Sequence, residues 1–127
     1  MQKKIVKLKS LMLLFVEDEE DLLEIIGDTL SKLGVYFKTA KNGKEALEII
    51  SKEKIDIVVT DINMPVMNGL ELIENLKNDY PEIPVIIMSA HTEKEYIKKA
   101  EDLGVKDYLI KPFDFIKFIE LVATMDK

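Results

Sequence analysis

Cysteine is absent from the chain, which rules out a disulfide framework and thiolate metal sites together. Arginine is absent too: all 18 basic residues are lysines, set against 24 acids for a net charge of −6. Lys3, Lys4, Lys7 and Lys9 sit in the first nine residues, so the other 14 lysines face all 24 acids and the rest of the chain carries about −10. Such a surface repels nucleic acid, whose non-specific binding is mainly electrostatic, and no direct nucleic-acid contact is expected. Long hydrophobic runs are also missing. The lysine-rich start followed by residues 11–16 superficially resembles a signal peptide, but that apolar stretch is short, runs into five acids and lacks a small-residue cleavage site. No stretch approaches the roughly 20 apolar residues needed to span a bilayer. A cytoplasmic protein without membrane contact is the expectation.

No linker, internal repeat or low-complexity tract breaks the chain. Hydrophobic residues are 47% and charged residues 33% of 127 positions, the balance of one globular domain with a real core. Residues 1–10 form a basic N-terminal extension with three open readings: a lead into the first strand, a frayed end, or a partner contact. Residues 11–127 form the domain. Residues 11–16 predict a strand and 19–33 an amphipathic helix. At 100° per residue, Leu22, Leu23, Ile25, Ile26, Leu30 and Leu33 share an arc of about 160°, and Gly34 ends the helix. A strand over 35–39 follows, then a helix over 43–53 capped by Asn42. The pattern continues with a strand over 55–60, a loop over 61–69 and a helix over 70–78. Beyond Pro81 and Pro84 come a strand over 85–88, a helix over 93–103 stopped at Gly104, a strand over 108–110 and a helix over 113–125. Five β–α units predict a doubly wound α/β domain. This is a (βα)5 flavodoxin-like three-layer sandwich on a parallel sheet ordered 2-1-3-4-5.

Four of these strands end on residues suited to phosphate chemistry: Glu17-Asp18, Asp61, Ser89 and Lys111. Each has an ordinary explanation by itself. Acids after a strand favour a helix N-terminus, Asp61 suits a turn, Ser89 suits a cap, and a lysine before Pro112 suits an exposed loop. In an open parallel sheet, however, ligands bind outside the carboxyl ends of the strands. Convergence there would set three carboxylates, a hydroxyl and an ammonium around one crevice. At about 4 Å and an effective dielectric near 20, each like-charged pair costs about 4 kcal/mol. A hard cation with oxygen ligands relieves that cost, and Mg²⁺ needs only one or two carboxylates beside water and phosphate oxygens.

With Glu17-Asp18, TDINMPVMNG (60–69), MSA (88–90) and YLIKPF (108–113) in order, the chain resembles the receiver domain of two-component response regulators over about residues 11–125. The resemblance implies that Asp61 is the phosphoacceptor and that Lys111 and Ser89 contact the phosphoryl group. It implies that Asp18, Asp61 and the backbone carbonyl of Asn63 bind Mg²⁺ (Mn²⁺ as an alternative), with Glu17 near the metal through water. The family often has aspartate at the Glu17 position. Ser89 and Tyr108 would form the switch, Lys111-Pro112 would be a cis peptide, and Asn63 and His91 would tune access of hydrolytic water. Gly69 is expected to supply a backbone conformation closed to other residues.

The resemblance further implies a phosphorylation-activated switch and not a turnover enzyme. Its donor would be a histidine kinase or histidine phosphotransfer protein. An unidentified output protein would read a face built from the fourth crossover helix, the fifth strand and the last helix, with Ile97, Tyr108, Lys94, Lys98, Lys106 and Phe118 as candidates. Leu23 and Ile25 are candidates for kinase docking. A stand-alone regulator is expected, with a receiver belonging to a longer regulator as the alternative. Three rivals remain. A metal-dependent phosphohydrolase with an aspartyl-phosphate would place nucleophile and acid two residues apart on the first strand, whereas the acids there are adjacent. A constitutive binding module would not need the complete site. A flavin protein would need a phosphate cradle where acids stand.

Overall fold

The computed structural model describes residues 2–62, 64, 66–90, 94–111 and 114–124, with backbone alone for 2–5. Its elements are α1 (Gln2–Lys9), β1 (Met12–Val16), α2 (Glu20–Leu33), β2 (Tyr36–Ala40), α3 (Gly43–Lys52) and β3 (Ile57–Asp61). They continue as α4 (Gly69–Asp79), β4 (Val85–Ser89), α5 (Lys94–Asp102), β5 (Asp107–Ile110) and α6 (Phe115–Thr124). The strands form one sheet in the order β2-β1-β3-β4-β5, every neighbouring pair parallel. The expected fold class and strand order are thus present.

The continuous apolar runs exist because helices cover both faces of the sheet. Alternate residues of one strand enter different cores. Leu13, Phe15, Ile57, Val59, Ile86 and Met88 pack with Ile26 and Leu30 of α2 and Phe118, Ile119 and Val122 of α6. Leu14, Val16, Val58, Val85 and Ile87 pack with Ala46 and Ile50 of α3, Leu72, Ile73 and Leu76 of α4, and Ala100 of α5. Phe118 is therefore no part of an output face. Its side chain is fully buried and its ring centroid lies 5.5 Å from that of Phe15. A helix-period pattern marks residue 118 as apolar, but only the packing of α6 shows which side it takes.

Helix ends follow local chemistry. Gly34 adopts φ 74 and closes α2, and the Asn42 side chain accepts the Glu45 N–H at 2.9 Å to cap α3. Asn68 and Glu71 form a reciprocal capping box at the start of α4. The N-x-x-E spacing was a readable signal for it.

The basic start does not extend β1. Gln2–Lys9 is a helix, and the chain turns at Ser10, whose N–H and hydroxyl both reach the Lys7 carbonyl, at 3.1 and 2.6 Å. Leu8 and Leu11 enter the first core. Lys7 Nζ donates to the Ala123 carbonyl at 3.0 Å, a cation at the carboxyl end of α6 where the helix dipole favours it. Burial of Leu8, rather than strand propensity, decides this segment. Leu8→Ala is accordingly expected to lower global stability by about 2–5 kcal/mol, measured by urea denaturation. An unchanged midpoint would mean that α1 does not belong to the folded core.

Candidate functional site

Parallel register sets the strand ends level. Val16 lies opposite Thr60, Asp61 opposite Met88 and Ser89 opposite Ile110. The residues immediately beyond therefore share one edge of the sheet. Backbone bonds extend the ladder past the strands: Glu17 N–H donates to the Ala40 carbonyl at 3.0 Å and Lys111 N–H to the Ser89 carbonyl at 2.8 Å.

From β5, Lys111 reaches across two strands. Its Nζ lies 3.1 Å from Asp61 Oδ2 and 3.1 Å from Glu17 Oε1. Asp61 Oδ1 accepts the Ile62 N–H at 2.8 Å, and Glu17 Oε2 accepts the Glu19 N–H at 3.3 Å. Glu17 and Asp61 are only 1% and 5% exposed, whereas Asp18 is exposed. One carboxylate oxygen from each of Glu17, Asp18 and Asp61 lies within 4.8 Å of the others. This donor set consists of hard oxygens alone, which suits Mg²⁺ or Mn²⁺ rather than a soft metal.

Burial, then the charge of Asp61, pushes the Glu17 carboxyl up to about 7, while Lys111 pulls it the other way. For Lys111, burial alone would lower its affinity for a proton. Bonding and charge from Asp61, then from Glu17, outweigh that and raise it.

Ser89 is fully buried, and its hydroxyl donates to the Ala90 carbonyl at 3.2 Å. Tyr108 pairs with Ile87, yet its side chain is 48% exposed. It lines a cavity of about 420 Å³ with Lys94, Ile97, Glu101 and Ile110. The structure thus brings Glu17, Asp18, Asp61 and Lys111 together, places Ser89 at the end of the adjacent strand, and sets Tyr108 on an outward face. Asn63, His91 and Pro112, and with Pro112 the expected cis peptide, lie outside the described residues. Ile25 of α2 is 59% exposed, and Leu23 is partly buried.

Gly69 differs from expectation in its reason. Among the described glycines, only Gly34 and Gly104 have positive φ. Gly69 is required for room: a Cβ there would collide with the Asp61 carbonyl and stand 2.9 Å from Ile62 Cα. Among the described residues of this loop, Val66 is the left-handed one, at φ 67. Thr60 is a further residue the sequence reading missed; its buried hydroxyl donates to the Asp61 carbonyl at 2.8 Å. Threonine in an otherwise apolar run was the available signal.

A family model for the response regulator receiver domain matches residues 13–123, and the chain belongs to that family. It is 36% identical over 107 residues to the DNA-binding transcriptional regulator NtrC of Escherichia coli, covering 84% of this chain and 23% of NtrC. It is 41% identical over 115 residues to the transcriptional regulatory protein CrdR of Helicobacter pylori, covering 90% of this chain and 50% of CrdR. The chain therefore spans about a quarter to a half of the length of these relatives. Among solved structures, the chemotaxis response regulator CheY4 of Vibrio cholerae superposes with a TM-score of 0.79 at 28% identity, over 88% of this chain and 98% of CheY4.

Glu17 carries a pH dependence of known sign. Its folded-state value, about 7, lies above the ordinary 4.5, so the native state holds a proton that the unfolded chain releases. Stability falls as pH rises from 4.5 toward 7. Glu17→Gln removes that penalty. Without divalent ions, its stability relative to the parent is expected to improve between pH 5 and pH 8 by on the order of 3 kcal/mol. Parallel urea-unfolding curves across that range would contradict the assignment.

Proposed function

We propose that this domain is a phosphorylation-activated signalling switch in which Asp61 accepts a phosphoryl group from the phosphohistidine of a histidine kinase or phosphotransfer protein. An Asp61 carboxylate oxygen forms the new bond to phosphorus, and the imidazole nitrogen of the donor leaves with the electron pair of the broken N–P bond. The observation that carries the reading is Lys111 Nζ at 3.1 Å from both Asp61 and Glu17, beside a third carboxylate on Asp18.

A carboxylate attacking a phosphoryl group brings negative charge against negative charge, so catalysis here is positioning and neutralisation. Lys111 supplies one positive charge and can follow the phosphoryl oxygens. Asp18 and Asp61, with the backbone carbonyl of Asn63 and with Glu17 through water, would hold Mg²⁺, whose charge offsets the transferred oxygens. Ser89 would donate its hydroxyl to the phosphoryl group. Asn63 and His91 would govern entry of the water that hydrolyses the acyl phosphate, which makes the domain a self-limiting switch and not a turnover enzyme.

The output is read as a change on α5, β5 and α6. Tyr108 moves inward when Ser89 is drawn to the phosphoryl group, altering the cavity it lines with Ile97 and Lys94. A two-state element biased by new charge-assisted bonds is the physical requirement. Ile25 on α2 offers an exposed apolar contact for the donor.

We read the domain as cytoplasmic and as making no direct contact with nucleic acid. The acidic surface disfavours direct contact with phosphates, and no described helix is long and apolar enough to cross a membrane. A stand-alone regulator and the receiver of a longer regulator remain the two forms. NtrC and CrdR, both longer proteins, favour the second.

Asp61→Asn is expected to abolish phosphoryl uptake from acetyl phosphate while the domain stays folded; label retained at wild-type level would remove the central assignment. Mg²⁺ is expected to raise the melting temperature by binding the native state. Asp18→Ala should erase most of that rise, and a full rise in the variant would place the ion elsewhere.

A further inference from the structure

The chain that leaves Asp61 is pinned at two places. Gly69 N–H donates to the Ile62 carbonyl at 2.7 Å, closing the base of the loop. Farther out, Gly43 N–H donates to the Met67 carbonyl at 3.0 Å. Gly43 is the first residue of α3, where an opening N–H has no partner within the helix; Met67 provides one. The Met67 side chain then lies where a side chain on residue 43 would begin. A Cβ there would stand 2.7 Å from Met67 Cγ and 2.9 Å from Sδ. From α4, Asn75 Nδ2 approaches the same sulfur at 3.9 Å. Val66, one residue earlier, is held in the left-handed region at φ 67, which a β-branched residue does not favour by itself. The pinned Met67 follows it directly in the chain.

We infer that Gly43 and Met67 form a tether that positions Asp61. With the loop pinned to α3, the Ile62 peptide stays where its N–H donates to Asp61 Oδ1 at 2.8 Å, while Lys111 holds Oδ2 at 3.1 Å. Main chain thus orients one oxygen of the acceptor and the ammonium orients the other. Gly43 acts through Met67 and Ile62 and is a positioning residue. Its lack of a side chain is needed for room, since its φ lies outside the left-handed region that marks Gly34 and Gly104. The inference rests on Asp61 being the phosphoacceptor.

Gly43→Ala tests it. Alanine strains neither the backbone nor the helix, but its Cβ must displace Met67, so the unfolding midpoint without divalent ions is expected to fall slightly while the domain stays fully folded under the assay conditions. Phosphoryl uptake from acetyl phosphate with Mg²⁺ is expected to fall about tenfold and to return to within about threefold in Gly43→Ala/Met67→Ala, because small displacements of reacting groups carry large rate costs. Hydrogen exchange at the Ile62 amide reads the tether without phosphoryl chemistry: faster in the single variant, restored in the double. Unchanged uptake with unchanged Ile62 exchange would overturn the tether. So would a loss that the second substitution leaves in place, or one no larger than the fraction of chain unfolded under the assay conditions. If the unsubstituted protein takes up no phosphoryl group while the exchange pattern holds, the acceptor assignment fails and the orientation of Asp61 by the tether stands.

Discussion

The ammonium of Lys111 is the charge on which the acidic end of this sheet depends. Glu17 and Asp61 are nearly sealed from water, and two carboxylates so placed repel strongly wherever the dielectric falls below that of water. Lys111 meets both at 3.1 Å. Even so, burial and the charge of Asp61 keep the Glu17 carboxyl near 7, so neutralisation by one lysine is partial. A site that still carries excess negative potential, with Asp18 open to solvent beside it, is prepared for a cation. Removing one member of such a buried pair leaves the other charge uncompensated, which costs more than the pair contributes.

Sheet topology makes that meeting possible. β5 is an edge strand, separated from β1 by β4 and β3, and only a parallel arrangement with level ends lets a lysine beyond β5 touch carboxylates beyond β3 and β1. The main-chain bond from Lys111 to Ser89 ties the lysine to the serine strand. Ser89 and Tyr108 thereby share the same two-strand unit, inside and outside the sheet respectively.

The opposite end of the molecule is finished by a different device. α1 precedes the stretch that matches the receiver family, which begins at residue 13. Leu8 and Leu11 complete the base of the core beneath α2 and α6, and Lys7 binds the final turn of α6. Charge that looked like a loose basic tail is partly spent on a helix terminus. At the acidic end, close approach constrains the described residues after Asp61: Gly69 sits against the Asp61 carbonyl, and Gly43 leaves room for Met67.

Strand runs, helix periods, the Asn42 cap and the Gly34 stop were all legible in the sequence, as were the polar residues ending β1, β3, β4 and β5. These signals are local, set by side-chain period and backbone preference within a few residues, so one chain read end to end contains them. The burial of Phe118, the helical form of Gln2–Lys9, the space requirement at Gly69 and the double contact of Lys111 were decided by tertiary structure. Each depends on an atom supplied from elsewhere in the chain: Phe15 for Phe118, the Ala123 carbonyl for Lys7, the Asp61 carbonyl for Gly69, and Glu17 for Lys111. The amino-acid order determined which groups would stand at the strand ends. Distances between them, and hence their charge states and chemistry, came into existence only when the parallel sheet closed.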